Sequence, residues 1–141
     1  MSPRVTKRPS DRWSRLSPGV RVRHLIDGEG TALQLYQLEA GTRFGLHAHP
    51  FPELGMVLSG TGIMVIEDEE QRTEAGDSFY LPGGMPHGFR VPEEGPPVLL
   101  LNVEAGVGSD VPRSYARELP RIAREAGWSV GEKPPSHRPS T

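Results

Sequence analysis

Gly41-Thr-Arg-Phe-Gly-Leu-His47-Ala-His49-Pro-Phe-Pro-Glu53-Leu-Gly-Met-Val-Leu-Ser-Gly60, continued after an interval by Gly76-Asp-Ser-Phe-Tyr-Leu-Pro82-Gly-Gly84-Met-Pro-His87, is the stretch from which this chain is read. Side chains of an extended strand alternate between faces, so residues two apart point the same way. His47 and His49 therefore form a side-by-side pair of imidazoles. Pro50-Phe51-Pro52 interrupts the strand, because proline donates nothing to a ladder and fixes its own φ. Glu53 resumes beyond that bend, close enough to add an oxygen. His87 must come from a distant strand, and Pro82-Gly-Gly-Met-Pro86 before it has the chemistry of a sharp chain reversal. The spacing predicts that His47, His49, Glu53 and His87 hold one divalent metal ion.

These residues resemble the two motifs of the cupin superfamily. The first, G(X)5HXH(X)3–4E(X)6G, is matched at Gly41, His47, His49, Glu53 and Gly60. The second, G(X)5PXG(X)2H(X)3N, is matched at Gly76, Pro82, Gly84 and His87, with Val91 where the motif has Asn. That Asn is not a metal ligand in cupins, so the departure leaves the site intact. With its flanking strands the resemblance covers roughly residues 20–104. It implies an all-β chain forming a single β-barrel of the jelly-roll type, commonly dimeric, with a mouth open to small molecules.

Bulk properties narrow the remaining classes. A chain of 141 residues makes one domain with a real core. A net charge of −2 favours neither a nucleic-acid partner nor an anionic membrane. Cysteine is absent, so there is no disulfide framework and no thiolate ligand. No apolar run approaches the ~20 residues that span a bilayer, and no signal-peptide core is visible, so a cytoplasmic location is the default. Seventeen Gly and fifteen Pro point to short strands and tight turns.

Along the chain, residues 1–19 read as a basic N-terminal arm, either mobile or pinned by Trp13. Residues 20–106 read as the barrel. Val20, Val22, His24 and Ile26 alternate with Arg21 and Arg23, and Asp27-Gly-Glu-Gly30 reads as a hairpin turn. Thr31 to Leu38 forms the next strand, with Leu33 and Leu35 on one side and Gln34 and Tyr36 on the other. Arg43, Gly45 and His47 share parity, so Arg43 either points into the cavity as a carboxylate clamp or, as a strand-end residue, bends out to solvent. Glu53, Gly55 and Val57 share a face, Gly55 leaving room for a ligand, while Leu54, Met56 and Leu58 face an opposite layer. Ile63 to Ile66 is apolar on both faces, and Asp68-Glu69-Glu70 is a solvated tip. Val98 to Val103 is the last core strand, with Asn102 on the face of Leu100. Residues 107–131 read as an extension with a short helix over Pro120 to Ala126, and 132–141 as a disordered tail.

Imidazoles and a carboxylate suit Fe, Mn, Co, Ni, Cu or Zn. Four protein ligands nearly close a tetrahedral zinc site, whereas an octahedral ion keeps two positions for chemistry. Three functions fit: dioxygenase-type oxidation, placed first; redox-neutral isomerase, lyase or cyclase chemistry; and non-catalytic binding. Parts of the motif also resemble the small cupins that linearise uronate sugars, although those carry Gln where Glu53 stands. Tyr36 and Arg43 are the candidate catalytic residues, with His24 and Tyr80 as further polar candidates. A small-molecule substrate and a homodimer complete the expectation.

Overall fold

The computed structural model describes residues 3–7 and 12–105. Within them the chain runs through ten strands: β1 (Ser14–Ser17), β2 (Val20–Gly28), β3 (Thr31–Leu38), β4 (Arg43–His47), β5 (Glu53–Ser59), β6 (Thr61–Ile66), β7 (Glu69–Glu74), β8 (Ser78–Leu81), β9 (His87–Arg90) and β10 (Val98–Ala105). Six of them form one sheet in the order β1-β2-β3-β10-β5-β8, and the other four form a second sheet, β4-β9-β6-β7. All recorded pairings are antiparallel. The expected all-β barrel of the jelly-roll type is what the chain builds. No helix among the described residues is long and apolar enough to cross a membrane. The helix expected over 120–126 and the tail over 132–141 lie outside the described residues.

The core lies between the sheets. On β3 burial alternates strictly, with Ala32, Gln34, Tyr36 and Leu38 inward, and β10 answers with Val98, Leu100, Asn102 and Glu104. Val20 and Val22 of β2 and Val57 of β5 join them at 1% exposure or less. Each such aliphatic side chain contributes about 1.5–3 kcal/mol on burial. The period-two reading of β2 fails after His24, because the register against β3 shifts between His24 and Ile26.

Part of the expected N-terminal arm is structured. Residues 14–17 form β1 against β2, with Leu16 buried, and the Trp13 ring lies 5.3 Å from the Arg21 guanidinium and 5.9 Å from that of Arg23. Those arginines stack on the indole by cation–π attraction. The acidic tip is shorter than expected: Glu69 and Glu70 already belong to β7, and Glu70 takes a two-pronged contact from Arg90 at 2.7 and 2.8 Å. Leu54, Met56 and Leu58 do not meet an opposite layer. They stand on the outer face of the six-stranded sheet, 54%, 40% and 40% exposed, beside Tyr80 of β8 at 61%.

Gly62 shows how tightly the inside is filled. A Cβ there would fall 2.2 Å from Cε1 of Phe89 and 2.4 Å from its Cζ. Gly62→Ala is expected to destabilise the domain by about 1–3 kcal/mol, as overpacked cores do, read as a lower urea midpoint at unchanged m-value.

Candidate metal centre

The centre is built where the chain changes sheets. His47 ends β4 in the four-stranded sheet, and Glu53 begins β5 in the six-stranded one. The Pro50-Phe51-Pro52 break makes the crossing. Phe51 is buried and its ring stacks on that of His49, with centroids 3.9 Å apart and planes 6° apart. His87 begins β9 directly opposite His47. The loop before it docks on the crossing: the Gly84 amide donates to the His49 carbonyl at 2.7 Å, and Gly84 has φ +80. At Gly83 a Cβ would lie 2.4 Å from the Pro50 carbonyl oxygen, so any side chain would wedge the two loops apart.

All four predicted ligands are brought together and buried, at 3% exposure for His47, 2% for His49, 5% for Glu53 and 5% for His87. One nitrogen from each imidazole lies within 4.8 Å of the others. Each ring turns its Nδ1 to a main-chain carbonyl: His47 to Gly45 at 2.8 Å, His49 to Phe51 at 2.7 Å and His87 to Met85 at 2.8 Å. A carbonyl only accepts, so each Nδ1 carries the hydrogen and, in a neutral ring, Nε2 carries a lone pair. Oε1 of Glu53 faces two of these nitrogens, at 2.9 Å from His49 Nε2 and 3.0 Å from His87 Nε2.

The electrostatics follow from that crowding. Burial, reinforced by the neighbouring His87, pushes the His47 pKa down to about 3, so that ring is neutral. Burial also opposes ionisation of Glu53, but contact with His49 and His87 outweighs it and holds its carboxyl at about 2. Electron pairs of three imidazoles thus converge on one point that could hold a cation, and Oε1 of Glu53 lies against two of them.

Beside this point lies a cavity of about 40 Å³, several times the ~10–15 Å³ that one water requires. Its walls are largely apolar, with Phe44, Met64, Phe79, Leu81, Phe89 and Leu100 among them, and Tyr36 and Asn102 add polar atoms. Tyr36 is therefore where the sequence places it. Arg43 takes the outward of its two alternatives: it is exposed and does not line the cavity. The register of β4 against β9 shifts between Phe44 and His47, so Phe44 lines the cavity and its ring lies 4.4 Å from that of His47. Such a bulge resets the alternation on which the Arg43 expectation depended. Gly55 does not open ligand space either, since Phe79 and Asn102 fill the volume above it. His24 accepts from Gln34 Nε2 and donates to Asp27, each at 3.0 Å, and Tyr80 faces outward.

Glu104 was missed by reading β10 as ending at Val103. Extending the alternation of Val98, Leu100 and Asn102 by one step finds it. It has no exposed surface and accepts the Tyr36 hydroxyl at 2.5 Å. Burial, with the Glu53 charge nearby, raises its pKa to about 8. The stability of neutral Glu104 is fully present below the unfolded carboxyl value near 4.5 and is lost as pH rises through 8. In the metal-free protein Glu104→Gln is therefore expected to leave stability near pH 4.5 little changed and to raise it at pH 9, measured by urea unfolding.

A two-sheet antiparallel barrel with imidazoles and a carboxylate gathered between its sheets defines a class of metal-site β-barrels. The chain belongs to the cupin family: residues 34–104, just over half of it, match the Cupin domain. Oxalate decarboxylase of Bacillus subtilis is 33% identical over 102 residues, covering 65% of this chain and 26% of that protein. A dimethylsulfoniopropionate lyase of Ruegeria pomeroyi is 33% identical over 81 residues, 54% of this chain and 53% of that protein. The chain thus spans only about a quarter and about half of these relatives' lengths. Among solved structures, KdgF from Halomonas sp. superposes with a TM-score of 0.62 at 22% identity, covering 67% of this chain and 87% of that one. That likeness is one of fold.

Proposed function

We propose that this chain is a mononuclear metal-dependent enzyme acting on a small molecule by redox-neutral bond cleavage or rearrangement. Nε2 of His47, His49 and His87 and Oε1 of Glu53 would hold the ion. The observation that carries the reading is the convergence of these electron pairs, with every Nδ1 already committed to a main-chain carbonyl. A borderline first-row ion suits the donors: Mn, Fe, Co, Ni, Cu or Zn. Bound there, it would supply Lewis-acid polarisation of a substrate oxygen.

The chain's own residues do the rest. Phe44, Phe79 and Phe89 exclude water from the reacting group. No Lys or Arg lines the cavity among the described residues, so an anionic substrate has no guanidinium clamp there. The Tyr36 hydroxyl, oriented by Glu104, is placed to pass a proton to or from substrate. The oxalate decarboxylase and the lyase are both named for bond cleavage, and that moves the reading from the oxidation placed first by sequence to the redox-neutral alternative. Pairing of two copies through the exposed Leu54, Met56, Leu58 and Tyr80 face completes the proposal.

The test is to load tag-free protein with each candidate ion and assay a panel of small chelating acids and ketones under argon and in air. Product under argon supports the proposal. Turnover only with oxygen uptake returns the chemistry to oxidation, and stoichiometric metal without turnover of any compound leaves a binding protein.

A further inference from the structure

Asn102 lies on β10 between the metal-facing strand β5 and the cavity wall of β3, with Gly55 and Gln34 as its cross-strand partners. It is buried at 4% exposure, and its Nδ2 donates to Oε2 of Glu53 at 2.8 Å. The amide orientation follows from chemistry, since an ionised carboxylate only accepts and the NH2 group must face it. The two oxygens of Glu53 are thereby divided. Oε1 looks toward His49 and His87, and Oε2 is engaged from behind.

Gly55 is what lets this happen. A Cβ at Gly55 would lie 2.8 Å from Asn102 Oδ1 and 2.1 Å from Cζ of Phe79. The space above the glycine is the berth in which Asn102 reaches across to the next strand.

We propose that Asn102 is a positioning residue that confines Glu53 to binding through one oxygen, Gly55 being bare to admit it together with the Phe79 ring. The proposal rests on the metal centre proposed above. Its consequence is a count of open positions. On an octahedral ion, three imidazoles and one carboxylate oxygen would leave two places, whereas a carboxylate swung to bind through both oxygens would leave one. Asn102 thus decides whether a substrate can chelate through two atoms, and it selects for compact molecules with two neighbouring donor oxygens.

The test uses Mn(II) as the probe and compares the unaltered protein with Asn102→Leu, which keeps volume and removes the donor, and Asn102→Ala. Water-proton relaxation of the Mn(II)-loaded proteins reports the number of bound waters. Per-ion relaxivity is expected to fall by about half in both variants as Glu53 takes a second position, and affinity for Mn(II) to weaken about 10–100-fold, as for other residues that orient ligands. X-ray analysis of Mn(II)-loaded unaltered protein is expected to show one bonded oxygen of Glu53. Two bonded oxygens overturn the proposal. So do variants that lose thermal stability yet keep relaxivity and affinity, which is the signature of a packing role alone. Should one variant fail to fold, the other and the loaded unaltered protein still decide. Failure of the unaltered protein to bind any ion overturns the metal centre itself and this inference with it, a result distinct from equal binding by all three.

Discussion

Replacement of His49 or His87 by Ala is expected to lower bound metal from about one equivalent per chain to less than a tenth, while His24→Ala retains it. The contrast follows from geometry. His49 and His87 each present Nε2 to the shared point with Glu53, whereas His24 is tied to Gln34 and Asp27 elsewhere on the barrel. Removing one of the four proposed ligands would withdraw a coordinate bond and let water into a site built to exclude it, and second-order partners alone are worth 10–100-fold in affinity. His49 also packs face to face on Phe51, so its alanine variant leaves a void. Glu53→Gln keeps the volume and removes only the charge, and it is expected to lose metal as well. Metal analysis after equilibrium dialysis decides the matter; equal occupancy in all four proteins would refute the assignment.

The second large effect is the response to acid. An ion that binds only the folded chain stabilises it by RT ln(1 + [L]/Kd), about 4 kcal/mol at a thousandfold excess over Kd. For a domain of this size that raises Tm by roughly 10–20 °C. Binding needs neutral imidazoles and an ionised carboxylate, so acid releases the ion, and the difference between loaded and metal-free protein should close as pH falls toward the folded His47 value of about 3. The metal-free protein has its own acid response. The folded pKa of His47 is about 3, below its ordinary 6.5. Stability from burying it neutral is present above 6.5 and is lost progressively as pH falls to 3, in all about 5 kcal/mol. Glu53, lowered from 4.5 to about 2, acts in the same direction in a lower window. Thermal unfolding of loaded and metal-free protein between pH 7.5 and 3 measures both. A loaded-minus-free gap undiminished at pH 3 would count against histidine ligation.

The candidate ligands were legible because the chemistry is local. Two imidazoles separated by one residue, a proline-bounded crossing and a glycine-rich reversal are short-range signals, and the fold satisfies each where it stands. Arg43 was misread because a single bulge between Phe44 and His47 resets the alternation, and the bulge depends on pairing with β9, which has no mark in β4 itself. Glu104 was missed for a different reason. An ionisable residue at the end of an apolar run looks like a strand terminus, and only its register against Ala32 and Glu53 shows the ladder continuing past it. The outward Leu54, Met56 and Leu58 follow strand periodicity well, but periodicity says which residues share a face and not what covers it.

Each imidazole of the centre is anchored through Nδ1 to a carbonyl only two residues away: Gly45 for His47, Phe51 for His49 and Met85 for His87. Three-residue tethers hold the rings in their aim before any guest arrives. Loading would then be an insertion into a waiting socket, and exchange of one ion for another would proceed without remodelling the barrel around it.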